Sequence, residues 1–267
     1  FIYNSWGWAA MGAIFGLIIA AVMLLALWGS REKRTFSSSP ALPLRQALRA
    51  TLRNRSFLIF AAANLFVQYT FITILATLPF YAKYLLNLNP LEITELLLCA
   101  FLAAAPMLFI WRRIAIRIGL KRTFLAVAGI QIASLAAILL AGSIGEVMRA
   151  AVLVGAGFSG FILVSDIIMS DIIDEDETVT GIRREGIYFG IGAFINRFAI
   201  VLQTATMGIV FIASGYTPYV FAQSPGFKSG LRMLIAFFPM IALSLASAIM
   251  VFYPLAGKRL MEMQSKL

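Results

Sequence analysis

Long apolar runs constrain this chain more than any other feature. A helix rising about 1.5 Å per residue needs roughly 20 apolar residues to cross about 30 Å of hydrocarbon. Runs of that order recur near residues 8–28, 57–80, 93–111, 123–141, 147–169, 187–213 and 232–254, the third containing Pro106 and two of the later ones carrying a charge inside. A lone spanning segment must satisfy its own backbone donors and acceptors, and no ten-residue alternation of the barrel type is present, so the expectation is seven transmembrane helices and no β-barrel. Composition agrees: 61% hydrophobic residues and a mean hydropathy of +0.91 exclude an ordinary soluble fold.

Several classes of chemistry drop out. Histidine is absent, which removes the usual general base and the commonest metal ligand, so imidazole-based triads and zinc sites are excluded and no catalytic or metal-binding residue is assigned. Cys99 is the single cysteine, lies in an apolar run and reads as a packing residue. The net charge of +10 could suggest nucleic acid, but the 22 basic residues sit mainly in short segments between apolar runs, as membrane topology produces, and no nucleic-acid partner is expected. The chain opens on Phe1 with an apolar stretch of spanning length rather than a cleavable signal, so the true N-terminus is expected upstream.

Counting Lys and Arg in alternate loops places 17 on one side: seven in 29–56, five in 112–122, two in 169–186 and three in the tail. The opposite side holds Lys83, Lys228 and Arg232, while Arg149 and Arg197 lie inside or at the edge of spans. The positive-inside rule therefore puts the basic side and the C-terminus in the cytoplasm, with an inner or plasma membrane as the expected location and the lipid bilayer as a partner. Ser37-Ser38-Ser39-Pro40 marks a flexible linker, followed by a helix in which Leu44, Leu48 and Leu52 repeat beside Arg45, Arg49 and Arg53. Such a helix can rest at a lipid surface, although a plain cytoplasmic connector explains it as well.

Acidic residues number 12, and seven of them are Asp166, Asp171, Asp174, Glu175, Asp176, Glu177 and Glu185. Thr180-Gly181-Ile182-Arg183-Arg184-Glu185-Gly186 follows the dense part, giving acid, turn, base and acid at a helix boundary. One reading is a solvated loop whose carboxylates pair with Arg183, Arg184 and the 112–122 loop. The other is a cytoplasmic gate of Asp171, Asp174, Glu177, Arg183, Arg184 and Glu185, in which reversible charge pairs lock two helix bundles.

Arg197 falls near mid-depth of its helix, where a cation costs roughly 3 kcal/mol or more unless partnered or wet. Gly186, Gly190, Ala193 and Arg197 share one helical face, so a small-residue stripe for close helix contact carries the charge and is expected to point inward. A structural ion pair or a snorkelling side chain is the plainer reading; lining a polar cavity, for substrate contact or coupling, is the functional one. Asn64, Gln68 and Tyr69 add hydrogen-bonding groups to the second span, either for substrate or as interhelical glue.

The stretch Asp171-x-x-Asp174-x-x-Glu177, followed by Arg183 and Glu185, resembles the pattern between the tenth and eleventh helices of the glycoside-pentoside-hexuronide cation symporters, the melibiose-permease-like family of the major facilitator superfamily. Leu52-Arg53-Asn54-Arg55-Ser56-Phe57, Phe80-Tyr81-Ala82-Lys83-Tyr84-Leu85 and the opening Asn4-Ser5-Trp6-Gly7-Trp8 are similar to family segments in the same order. The resemblance implies an all-α membrane protein: 1–28 as the last helix of an N-terminal bundle, 29–56 as the central linker, 57–254 as a C-terminal six-helix bundle and 255–267 as a tail. It further implies alternating-access symport of a sugar or glycoside driven by sodium or protons, with no cofactor. The coupling ion would be held mainly by the missing N-terminal bundle. Arg197 falls where the melibiose permease has a functional lysine; guanidinium keeps the charge but does not titrate, so a proton relay there is not expected. Some relatives carry lysolipids, so the resemblance does not name the solute.

Two rivals stand beside this reading. Asp171-x-x-Asp174-x-Asp176 could pass for the magnesium-diphosphate loop of a membrane prenyltransferase, but the remaining acids, Glu32, Glu92, Glu95, Glu146 and Glu262, form no second motif on the cytoplasmic side, and no enzyme is expected. A half-length, non-transporting membrane subunit is the other.

Overall fold

The computed structural model describes residues 2–30, 44–218, 220, 222–255 and 257. Every regular element among them is a helix, and seven helices are long and apolar enough to cross a membrane. The chain divides into two units, Phe1–Pro43 and Leu44–Leu267. In the first, α1 (Ile2–Gly29) is broken at Gly7, whose φ of 79° is open to glycine, so the spanning portion is Ala9–Gly29. It is apolar all round and has to be surrounded by lipid or by other helices. The Ser-rich linker and most of the basic tail lie outside the described residues, as do the side chains of Leu44 and Arg45.

The second unit begins with α2 (Leu44–Thr51), the expected amphipathic helix, which packs on α7 (Glu185–Ala213). Asn54 then starts α3 (Arg55–Tyr84): its Oδ1 accepts from the Phe57 N–H at 3.0 Å. Asn89 and Glu92 form a reciprocal capping box at α4 (Pro90–Ile118), with Pro90 in the first turn where its missing N–H costs nothing. Gly119, at φ 81°, turns the chain directly into α5 (Leu120–Leu140). α6 (Ile144–Thr180) is the longest helix and ends at left-handed Gly181. The last crossing, Pro225–Val251, consists of α8 (Pro225–Arg232), a π-helical turn at Met233–Phe237 and α9 (Phe238–Val251).

Within this unit α6 packs between α4 and α5, α3 packs between α7 and α9, and α5 against α9 joins the two groups. Small residues set the spacing: a Cβ placed on Gly155 would lie 2.0 Å from the backbone oxygen of Ala100, so α4 and α6 touch nearly backbone to backbone. Trp111 fills the next layer and donates its indole N–H to the Ala156 carbonyl at 2.7 Å. Lys121 Nζ donates to the carbonyls of Val251 and Tyr253, placing a cation at the negative end of α9.

The seven expected crossings are all present, with one substantive correction. The segment 169–186, expected to be a loop, is helical to Thr180, and only Gly181–Arg184 form a turn. At about 1.5 Å per residue, 37 residues make roughly 55 Å, well beyond a bilayer's hydrocarbon. The acidic residues from Asp171 onward lie beyond the 147–169 apolar run, and a helix leaving an apolar layer can continue in water until a glycine stops it.

Candidate functional site

Polar groups collect at two levels of the 44–267 unit. At the Arg55/Glu185 end, Arg183 in the α6–α7 turn reaches three carboxylates: Nη1 donates to Asp174 and to Glu177, each at 2.9 Å, and Nε donates to Glu185 at 2.5 Å. These bonds, Glu185 foremost, hold its pKa above the ordinary guanidinium value, so the charge persists at every ordinary pH. The side chain of Arg183 is nearly half exposed, and each pair is worth under about 1 kcal/mol.

Arg184 differs. Its side chain and that of Asp176 are 4% and 7% exposed and form a two-bond fork, Nε donating to Oδ2 at 2.8 Å and Nη2 to Oδ1. Beside them Tyr188, fully buried, meets Phe57 edge to face at 5.0 Å and its hydroxyl accepts from Asn54 Nδ2 at 3.3 Å. The residue that caps α3 thus also fastens the α6–α7 corner to it. Asp171 is buried one helical turn before Asp174. All of these ion pairs lie within one unit, and none to the 112–122 segment occurs among the described residues.

The second level is about a dozen residues into α3 and α7, or roughly 18 Å along them. Here Gln68 lines a cavity of about 220 Å³ with Ser165 and Asp166 of α6, walled by Phe71, Phe158 and Phe161. Asn64, one turn earlier, has an amide oxygen buried without a hydrogen-bond partner, as does Asn196 of α7. Tyr69 is not brought to the cavity: it is packed against Ala199 and Ala242 in the seam of α3, α7 and α9.

Arg197 is exposed and forms no ion pair or hydrogen bond among the described residues. It sits about half a turn from Tyr188 and Ala199, the buried side of α7. Gly186, Gly190 and Ala193 share its exposed face, and nothing lies within 4 Å of a Cβ built on either glycine. The small-residue stripe therefore packs on no helix of its own unit.

Sequence reasoning assigned no role to Asp166, although the signal was present: a carboxylate inside an apolar run. Asn196 and the cluster of Phe80, Phe211, Tyr216 and Phe227, where the far ends of α3 and α7 meet α8, carried no local signal.

Comparison with known proteins places this arrangement. The chain is 24% identical over 256 residues to an isoprimeverose transporter of Lactiplantibacillus pentosus, covering 94% of this chain and 52% of the relative. It is 26% identical over 270 residues to a glucuronide carrier protein homolog of Escherichia coli K12, covering 96% and 55%. A putative 2,3-dihydroxypropane-1-sulfonate exporter of Salmonella typhimurium LT2 is 27% identical over 264 residues, covering 94% and 55%. The chain spans about half the length of these relatives. A family model described as MFS/sugar transport protein matches residues 3–257, nearly the whole sequence, and the chain, an integral membrane protein with seven apolar helices, belongs to that family.

Proposed function

We propose that this chain provides the C-terminal half of a secondary transporter that accumulates a sugar or glycoside by sodium- or proton-coupled symport through alternating access. One observation carries the reading: a permanent cation, Arg197, lies at mid-helix on a face that its own unit leaves bare, at the depth of the Gln68 and Asp166 cavity. Guanidinium in hydrocarbon is expensive, so that face belongs against water, a solute and a second helix bundle. Two of the relatives carry the names of a glucuronide and a sulfonate, solutes bearing an anionic group, which fits a guanidinium with no partner among the described residues; another is named for isoprimeverose.

In this account the second bundle supplies most of the coupling-ion site, and solute bound between the halves is released on either side as they rock. Arg183, with Asp174, Glu177 and Glu185, lies at the cytoplasmic rim, where exchangeable ion pairs serve as a gate; Arg184 and Asp176 hold the corner that carries them. The C-terminus is cytoplasmic and the membrane is the inner or plasma membrane. A magnesium-diphosphate loop fits poorly, because Asp174 and Asp176 are already engaged by arginines.

The test is uptake by the full-length gene product in proteoliposomes, across neutral glycosides and glucuronides under sodium and proton gradients. Gradient-driven accumulation by the wild type, lost in Arg197→Ala with insertion intact, is the expected result. Normal accumulation by that variant removes Arg197 from the mechanism, and no accumulation of any solute removes the transport reading.

A further inference from the structure

Two pockets bordered by α3 and α6, the larger also by α4, share three lining residues. The smaller, about 220 Å³, has Gln68, Ser165 and Asp166 in its wall; its volume equals about seven waters at about 30 Å³ each. The larger, about 340 Å³, extends toward the C-terminal end of α3 and the N-terminal ends of α4 and α6. Its lining is apolar, including Ile74, Leu97, Phe101 and Ile235, apart from Ser159 and Tyr81; the Ser159 hydroxyl is already spent on the Ala156 carbonyl at 2.8 Å. Phe71, Phe158 and Ile162 belong to both cavities, and the two rings meet edge to face at 4.3 Å. A partly polar pocket and an apolar one are thus adjacent, both open at the surface of the unit, where Ile162 and Phe101 are exposed.

The partly polar pocket's chemistry narrows its occupant. Asp166 is exposed on the 44–267 unit and has no ion-pair or hydrogen-bond partner among the described residues, although it falls within the 147–169 apolar run of a helix long and apolar enough to cross a membrane, where ionisable groups are costly and mark functional sites. An ionised carboxylate only accepts hydrogen bonds, so it suits a donor-rich ligand, and two neighbouring hydroxyls can use both oxygens. Gln68 supplies one donor-acceptor amide and Ser165 one hydroxyl. A hard divalent cation takes six or more oxygens, and a wall otherwise made of Val67, Ile162 and three phenylalanines does not provide them. Phenylalanine faces do suit the C–H side of a sugar ring.

We infer that the solute site of this half is bipartite: Asp166, with Gln68 and Ser165, binds the hydroxyls of a sugar ring, and the neighbouring apolar cavity takes a hydrophobic substituent on that ring. The preferred solute class is then an alkyl or aryl glycoside rather than a free sugar. This rests on the transport reading above and adds to it a carboxylate of the C-terminal half and a demand for an apolar group.

The experiment measures binding of methyl, butyl and hexyl β-D-glucopyranosides and the matching β-D-xylopyranosides to the full-length gene product in proteoliposomes, alongside uptake. Affinity rises with chain length, by up to about fourfold per added methylene if each is fully buried. Ala104→Phe, which fills the apolar cavity, flattens that series. Asp166→Asn weakens every glycoside by tenfold or more while keeping the increment per methylene, and Asp166→Ser does the same; thermal melting of each variant confirms that it is folded.

Equal steepness in wild type and Ala104→Phe means that the increment is partitioning into lipid, and overturns the apolar site. Normal affinity in both Asp166 variants, with or without loss of accumulation against a gradient, overturns the role of Asp166 in recognition. Transport of other solutes with no glycoside binding overturns this assignment and leaves the transport reading intact; no transport at all removes both.

Discussion

Two arginines that are adjacent in sequence have different surroundings and should behave differently. Arg184 is buried with Asp176, and removing one partner strands the other charge in a low-dielectric setting, at a cost of about 3–5 kcal/mol. Asp176→Ala is expected to lower the melting temperature of the purified protein sharply, whereas Arg183→Ala, which breaks only half-exposed pairs, should leave it almost unchanged. Arg183→Ala should instead speed labelling of a cysteine placed at the cytoplasmic mouth if the rim acts as a gate. Equal melting shifts for the two would contradict the division of labour. The sequence exposed the cluster of opposite charges but could not divide it, because burial depends on Asn54 and Phe57 arriving from elsewhere in the chain to meet Tyr188. Arg197 and Asp166 were legible as charges inside apolar runs. That Tyr69 is packed and Gln68 lines a cavity depends on the rotation of α3 against its neighbours, which helical spacing alone does not fix.

Among the elements, the helices were the most legible part, since length and apolarity decide what can cross a bilayer. Their ends were less so. The α6 extension to Thr180 was hidden because hydropathy reports the lipid boundary, not the end of the helix. The glycines show what spacing can and cannot say: Gly155 meets the Ala100 backbone, while Gly190 meets nothing in its own unit, yet both sit in similar small-residue patterns. Gly155→Val should destabilise the bundle by about 1–3 kcal/mol or more through overpacking, measured as a fall in melting temperature. Gly190→Val should leave the melt unchanged and reduce transport, because the proposed second bundle would pack there. A melt lowered equally by both would mean that the α7 stripe packs within this unit after all.

For the whole molecule, topology and chemistry converge. The alternating distribution of Lys and Arg fits an even-numbered bundle preceded by one more helix, and a chain matching about half of each relative fits one half of a rocking pair. The six crossings from α3 to α9 make a compact unit whose packing leaves the Arg197 face uncovered, while pockets lie along α3 and α6. Under the proposed function this is expected, because the working surface of one bundle would be completed by the other.

Everything functional depends on what surrounds the position of that guanidinium. A nitroxide attached at Arg197→Cys, with Cys99 replaced by serine, in the full-length gene product in liposomes reports it directly through collision with a water-soluble relaxing agent and with oxygen. Faster relaxation by the water-soluble agent is predicted, marking a hydrated space between helices. Relaxation dominated by oxygen, the signature of lipid tails, would contradict the account.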